Sequence, residues 1–314
     1  MLSLVRAGVA DAVLAHAAPA IQAELVQLLA RPGYALHPDG PCRAGLFALE
    51  VHGAIRGRNN RSALVAAAAV ELLMQSAYVF DDVADHLPDG RQGEDLALAI
   101  ALLTAGTAAA ADAASDSPDP PGAMRHFCVA TGGACAGQFL DARLERRGTA
   151  TVEESLEMTR LKSGSLGTFA AGFAARIAGA RAGDARIFEA LGCNLFTFAQ
   201  LVDDHRDACA PGSRSDLARA KATLATVYFG QRNPMDASHR VDGRISPRTC
   251  ESYDSSGAPI YAAILALAYL GRAKADLELL ADRGYAIRGL GRFLESVESG
   301  ATGTLGTIGC GVVA

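Results

Sequence analysis

Strand signals are nearly absent from these 314 residues. Runs of β-branched residues are rare, and alanine and leucine dominate. Apolar residues recur at three- and four-residue spacing, as in 62–80, 153–178 and 187–202, which is the period of helices packed on one face. Basic tracts are missing as well: the arginines are scattered, the formal net charge is −5 and the isoelectric point is near 5.8. No footprint for nucleic acid or for an anionic membrane surface is present. No CxxC pair occurs, and seven cysteines leave an odd count, so reduced thiols in a cytoplasmic protein are expected rather than a disulfide framework. Long apolar runs are lacking too. The most apolar, "LALAIALLTAGTAAAA" (96–111), falls short of the roughly 20 residues a membrane span needs and reads as a core helix. The N-terminus has one early basic residue, with glutamine and glutamate soon after its apolar part, which is not the pattern of a signal peptide.

What remains is a chain half apolar, ample for a buried core and almost wholly helical. Proline and glycine mark breaks at "RPGYALHPDGP" (31–41), "HLPDGRQG" (86–93), "SDSPDPPG" (115–122), "RRG" (146–148) and "CAPGSRS" (209–215). The polar stretch 231–259 is too long for a simple connection and is expected to be a lid or partly disordered. The glycine- and threonine-rich tail 299–314 is expected to fray. No segment reads as a linker, so residues 1–314 are expected to be a single all-α domain of about ten helices.

Two stretches demand an account. "QSAYVFDDVADH" (75–86) runs an apolar helix into Asp81, Asp82 and Asp85, and "TFAQLVDDHRDA" (197–208) repeats the arrangement with Asp203, Asp204 and Asp207. The spacing puts Asp81 and Asp85 one turn apart on one helix face, and Asp203 and Asp207 likewise. On an exposed face such like-charge pairs cost only about 0.2–0.5 kcal/mol. Facing one another across a desolvated cleft they would cost several kcal/mol each unless a cation neutralised them. Mg2+ does so with one or two carboxylates, water and phosphate oxygens. Two such carboxylate walls would make a cage for a diphosphate and its metal ions. The plain alternative is a solvated, aspartate-rich helix end. It is disfavoured because negative charge belongs near helix N-termini, and these clusters follow long apolar helical runs.

The order "ELLMQSAYVFDDVAD", "GQFLD" (137–141), "KSGSLGTFA" (162–170), "FAQLVDDHRD" (198–207) and "DLARAKATLA" (216–225) resembles the trans-isoprenyl diphosphate synthase family over residues 40–295. The resemblance implies a bundle of antiparallel helices, isoprenoid synthase-like, commonly a homodimer. It also implies that Asp81, Asp82, Asp85, Asp203, Asp204 and Asp207 bind about two or three Mg2+ ions with the substrate diphosphate. Lys162, Lys221 and Gln200 match family positions that contact that diphosphate. The residues agree in part: Gln200 lies three before Asp203, on the same helix face. Ionisation of an allylic C–O bond leaves a carbocation to be kept from water. Phe169 and Phe173, one helix face beyond Lys162, and Phe196, one turn before Gln200, are candidates to flank it. For any single phenylalanine, ordinary core packing is the commoner role. The wall one turn below Asp81 is Ala77 and Ser76, both small, with Tyr78 closing part of it. That spacing points to an allylic substrate of about fifteen carbons or more.

The family's second, cationic site is altered. The upstream region reads "PDGPCRAGLF" (38–47): the lysine of the family's GGKxxR motif is gone, and the spacing leaves open whether Arg43 fills the arginine position. Met74 stands where the family has histidine, and of an arginine pair after the first motif only Arg91 survives. Each charge-assisted phosphate contact contributes roughly 1.5–3 kcal/mol, so three losses would weaken acceptor binding by several powers of ten. The sequence is therefore expected to encode a Mg2+-dependent terpene synthase, ionising one substrate and letting it cyclise or eliminate. The alternative is a prenyltransferase that joins the allylic diphosphate to isopentenyl diphosphate or another acceptor. A catalytically silent subunit is disfavoured because both aspartate motifs are complete.

Overall fold

A computed structural model describes residues 1–85, 91–210, 215–232, 240–241, 244–245 and 247–306. The all-α expectation holds. In chain order the helices are α1 (Leu2–His16), α2 (Gln22–Leu29), α3 (Arg43–Arg56), α4 (Arg61–Asp85), α5 (Gln92–Ser115), α6 (Pro120–Arg147) and α7 (Val152–Thr159). After a π-turn at Arg160–Gly164 come α8 (Ser165–Ile177), α9 (Ala182–Ala208), α10 (Asp216–Arg219), α11 (Leu224–Arg232), α12 (Pro247–Ser255), α13 (Ala258–Asp282) and α14 (Arg288–Gly306).

Two segments differ from expectation. The polar stretch 231–259 is not one loop: α11 ends in it, α12 occupies its second half, and two-residue strands β1 (Arg240–Val241) and β2 (Arg244–Ile245) pair antiparallel, Arg240 opposite Ile245. Its residues 233–239, 242–243 and 246 lie outside the described residues. The tail does not fray at residue 299, because α14 continues to Gly306. Arg206 donates to the Thr304 hydroxyl from Nε (3.3 Å) and Nη2 (3.2 Å), a tertiary contact to this last helix. Residues 307–314 lie outside the described part.

The chain groups into two compact units. The first comprises Met1–Thr131, Leu166–Gly192 and Asp276–Phe293. Its centre is the pairing of α4 with α5. Alanines at 63 and 66–69 are buried on α4, and Gly106 of α5 comes so near that an added Cβ would meet Leu72 Cβ at 3.1 Å and Ala69 O at 3.3 Å. Ser76 is buried and donates to Ala99 O at 2.9 Å. Both helices are long and apolar enough to cross a membrane by length and composition, with 67% and 44% of their apolar windows buried. The 96–111 segment is thus a core helix on one face, Leu98, Leu102 and Ala109 inward, while Leu96 and Ile100 are exposed.

The second unit comprises Gly132–Ser165, Cys193–Ala275 and Leu294–Ala314. Leu217, Ala225, Phe229, Tyr253 and Ala262 form one buried cluster, and Leu144, Met158 and Ala222 another. Helix α7 starts at a reciprocal cap: Glu154 N donates to Thr151 Oγ1 (3.1 Å) and Thr151 N to Glu154 Oε2 (2.9 Å), the S/T-x-x-E pattern that satisfies two orphan donors.

Candidate functional site

In the first unit, α4 carries the first aspartate run to its C-terminal end. Asp81 is half-buried and Asp82 exposed. Asp85 is the last helical residue; its side chain and residues 86–90 lie outside the described part. The Tyr34 hydroxyl donates to Asp82 Oδ2 at 2.5 Å. Burial, aided by the Asp82 carboxylate, pushes the Tyr34 phenol well up from its ordinary value, so it remains a donor. Ala77 is half-buried and Tyr78 exposed. Met74 is half-buried, and Arg43 opens α3 in an exposed position. Arg91 precedes α5 and pairs with Glu94 on the surface, 3.5 Å apart.

The predicted aromatics are not one group. Phe169 and Phe173 are fully buried in the first unit and pack with Phe127, centroids 5.0–6.4 Å apart. Two of the three pairs are edge-to-face, a favoured geometry for aromatic packing. Phe196 is half-buried and belongs to the second unit.

The second unit assembles charge around a break in helical regularity. Gly137 of α6 lies so close to the π-turn that an added Cβ would sit 2.1 Å from Lys162 N. The turn's register, with Ser165 N bonded to Arg160 O, is the five-residue ladder of a π-bulge, which recurs at functional sites. Lys162 Nζ donates to Asp141 Oδ2 at 2.8 Å, and Lys221 Nζ lies 3.9 Å from that oxygen and 3.1 Å from Glu145 Oε1. Lys221 follows Ala220, whose φ of 56° is a left-handed conformation rarely taken by alanine. Two lysines therefore share one buried carboxylate, a cationic pair available to a phosphate.

The second aspartate run lies beside this pair. Ser163 Oγ donates to Gln200 Oε1 (2.7 Å), and Gln200 Nε2 donates to Asp204 Oδ1 (2.7 Å). Gln200 thus engages Asp204 rather than Asp203, its neighbour by spacing. Burial first, and then repulsion from Asp216, raise the Asp204 carboxyl well above the usual carboxylate range; an ionised Asp204 needs a compensating cation. Asp203 is half-buried and pairs with Arg206 at 2.6 Å, and Asp207 is exposed. Among the described residues no group of three or more His, Cys, Asp or Glu side chains is gathered tightly enough to hold a metal by itself. The donor set still suits Mg2+, which takes one or two carboxylates and fills the rest of its shell with water and phosphate oxygens.

Asp141, Glu145, Asp216 and Tyr34 were not among the residues singled out from sequence. Asp141 and Glu145 had a signal, an i,i+4 acidic pair on α6 upstream of Lys162. Tyr34 had none, since 48 residues separate it from Asp82.

Residues 27–252 match the profile of the polyprenyl synthetase family. Among curated proteins the chain is 28% identical to a geranylgeranyl diphosphate synthase of Methanosarcina mazei, over 72% of this chain and 76% of the relative. It is 27% identical to a geranylfarnesyl diphosphate synthase of Natronomonas pharaonis, over 65% of this chain and 61% of the relative. Among solved structures it resembles a geranylgeranyl pyrophosphate synthetase from the archaeon Geoglobus acetivorans, with TM-score 0.76, 23% identity and coverage of 95% and 97% of the two chains. That likeness carries the isoprenoid synthase-like helical-bundle fold.

These relatives overturn the expectation of a terpene synthase, for they are named as makers of prenyl diphosphates, products that retain the group a terpene synthase discards. The expectation rested on three missing motif cations. A phosphate accepts charge-assisted bonds from any lysine or arginine that reaches it, so loss at three motif positions does not by itself exclude an acceptor.

Proposed function

The chain belongs to the polyprenyl synthetase family of isoprenoid diphosphate-processing enzymes, and from that premise we propose that it is a chain-elongating prenyltransferase. It ionises an allylic isoprenyl diphosphate, releasing pyrophosphate, and joins the resulting cation to the double bond of isopentenyl diphosphate; the condensed cation then loses a proton to give a longer prenyl diphosphate. The observation that carries this reading is the family match itself. Its span, 27–252, contains both aspartate runs, Lys162, Gln200 and Lys221.

In this reading Lys162 and Lys221, gathered by Asp141, bind the departing diphosphate and stabilise its growing charge. Gln200, oriented by Ser163, holds Asp204 in place. Asp81, Asp82, Asp85, Asp203, Asp204 and Asp207 are the residues that would hold about two or three Mg2+ ions, which would supply Lewis-acid charge to the leaving group when bound. Buried Phe169 and Phe173 belong to the dry packing of the first unit, which limits the access of water. The names of the two curated relatives, geranylgeranyl and geranylfarnesyl diphosphate synthase, support a long product, as does the small Ala77. The chain is also read as a homodimer, with the exposed Leu96 and Ile100 of α5 as support.

The test is to incubate the purified full chain and Mg2+ with geranyl, farnesyl and geranylgeranyl diphosphates, each with and without isopentenyl diphosphate. A longer diphosphate appearing only in paired incubations is expected. Hydrocarbon or alcohol released from a single substrate, or no turnover with any pair, would refute the proposal.

A further inference from the structure

In the first unit, the segment from Tyr34 to Gly45 is laced to one face of α4. Glu71, Gln75 and Asp82 lie at helical spacing along that face, four and seven residues apart. Each is bonded to the segment. Gly45 N donates to Glu71 Oε2 at 2.9 Å, Gln75 Nε2 to Glu71 Oε1 at 2.7 Å, and Ala35 N to Gln75 Oε1 at 3.1 Å. The seam ends at the Tyr34 hydroxyl on Asp82 Oδ2, at 2.5 Å. Glu71 and Gln75 are buried, 1% and 0% exposed, so water does not compete for these bonds. From α1, Arg6 fixes the carbonyl side of the same segment, donating to Ala35 O (3.2 Å), Pro38 O (2.7 Å) and Gly40 O (2.8 Å).

The backbone on either side of Tyr34 is thus held, and its phenol is delivered to one carboxylate of the first aspartate run. Asp82 is exposed, and an exposed aspartate samples several rotamers unless something holds it. A tyrosine has only two side-chain torsions to restrain and holds a carboxylate at little entropic cost. Partners of this kind orient metal-binding carboxylates, and their removal typically weakens metal affinity about 10–100-fold.

We propose that Tyr34 is a positioning residue for the first aspartate run: its hydroxyl fixes Asp82 in the orientation that receives the metal–diphosphate ligand. This deepens the prenyltransferase reading and rests on it, because it takes Asp82 to serve that ligand. The α4 face from Glu71 to Gln75 and the Arg6 clamp hold the segment so that Tyr34 reaches Asp82 before any ligand arrives. Nothing in the motif itself encodes this, because the residue comes from a segment far upstream.

The test uses the full chain, Mn2+ as a spectroscopic probe, and inorganic pyrophosphate. Mn2+ binding is titrated by electron paramagnetic resonance for the wild type, Tyr34→Phe, Asp82→Asn and the double variant. Thermal midpoints and steady-state constants are measured alongside. Tyr34→Phe keeps the ring and is expected to unfold within about 2 °C of wild type. Its Mn2+ affinity should fall about tenfold, the metal concentration for half-maximal rate should rise in step, and kcat at saturating metal should stay within about threefold. In the Asp82→Asn background the Tyr34→Phe effect should vanish, the signature of two residues acting through one contact. Wild-type affinity in Tyr34→Phe, or an equal loss with and without Asp82, would overturn the proposal while leaving the prenyltransferase reading intact. Failure of the wild type to bind Mn2+ with pyrophosphate would overturn both.

Discussion

Replacing Gly137 by alanine should both destabilise the protein and disarm Lys162. The added Cβ would lie 2.1 Å from Lys162 N, 2.5 Å from Leu161 C and 2.5 Å from Lys162 Cα. All three are backbone atoms, so no side chain can swing aside. Ordinary contact needs roughly 3.5 Å, so α6 and the π-turn must part by about 1 Å. Overpacking of this severity costs on the order of 3–4 kcal/mol. An unfolding entropy near 2.1 cal/mol/K per residue gives about 0.66 kcal/mol per degree for this chain length, so the midpoint should fall by about 5 °C. Gly132 is the internal control. It lies on the same helix with nothing within 4 Å of an added Cβ, and alanine there should gain about 1 kcal/mol of helix propensity, or ~1.5 °C. Scanning calorimetry at one scan rate compares the two. The displaced turn carries Lys162 with it, so the KM for the allylic diphosphate should also rise, by about tenfold or more. If Gly137→Ala melts with Gly132→Ala and keeps its KM, the close approach of α6 to the π-turn is not what positions Lys162.

Asp141→Asn should leave two lysines without their shared counter-charge in a largely buried setting. A loss of about 3–5 kcal/mol should appear as a lower thermal midpoint, and saturating pyrophosphate with Mg2+ should recover much of it. Glu154, drawn down to about 2 first by its hydrogen bond from Arg147 and then by the Thr151 backbone N–H, has a depressed carboxyl. Its contribution to the α7 cap is therefore full above the ordinary value of 4.5 and is lost as pH falls toward 2. Carboxyl chemical shifts should report a midpoint near 2, and amide protection factors at the start of α7 should fall over the same range. A Glu154 midpoint near 4.5 would contradict the reciprocal cap. Asp81→Ala should cut turnover by about a thousandfold with the fold intact by circular dichroism, and near-wild-type rates would remove the first aspartate run from the chemistry.

Helices were the most legible part of this chain because their evidence is local. The apolar period in 62–80 and 187–202 lies within α4 and α9. The break at 115–122 ends where Pro120 opens α6, a first-turn position at which proline forfeits no hydrogen bond. The π-turn was not legible, because its register answers to the close approach of Gly137, a tertiary fact without periodicity. The run 299–306 is poor in helix propensity yet helical, and its Thr304 is bonded to Arg206, nearly a hundred residues earlier. At the site, the aspartates could be read from spacing, since one helix presents each run, whereas Lys162 came from the family resemblance of its motif. Their contacts could not: Asp141 meets Lys221, and Tyr34 meets Asp82, only because segments far apart in the chain come together. The error over reaction class had the same root. Counting cations at motif positions tests those positions alone, and the relatives decided the question.

The most direct measurement is the initial rate of pyrophosphate release from farnesyl and isopentenyl diphosphates together, followed as Mg2+ is titrated into chelator-stripped protein. Release should be negligible in excess chelator, rise to saturation with Mg2+, and fall by orders of magnitude in Asp203→Ala at any metal concentration. Undiminished release in excess chelator, or from Asp203→Ala, would contradict the claim that acidic helix ends and divalent cations together free the leaving group.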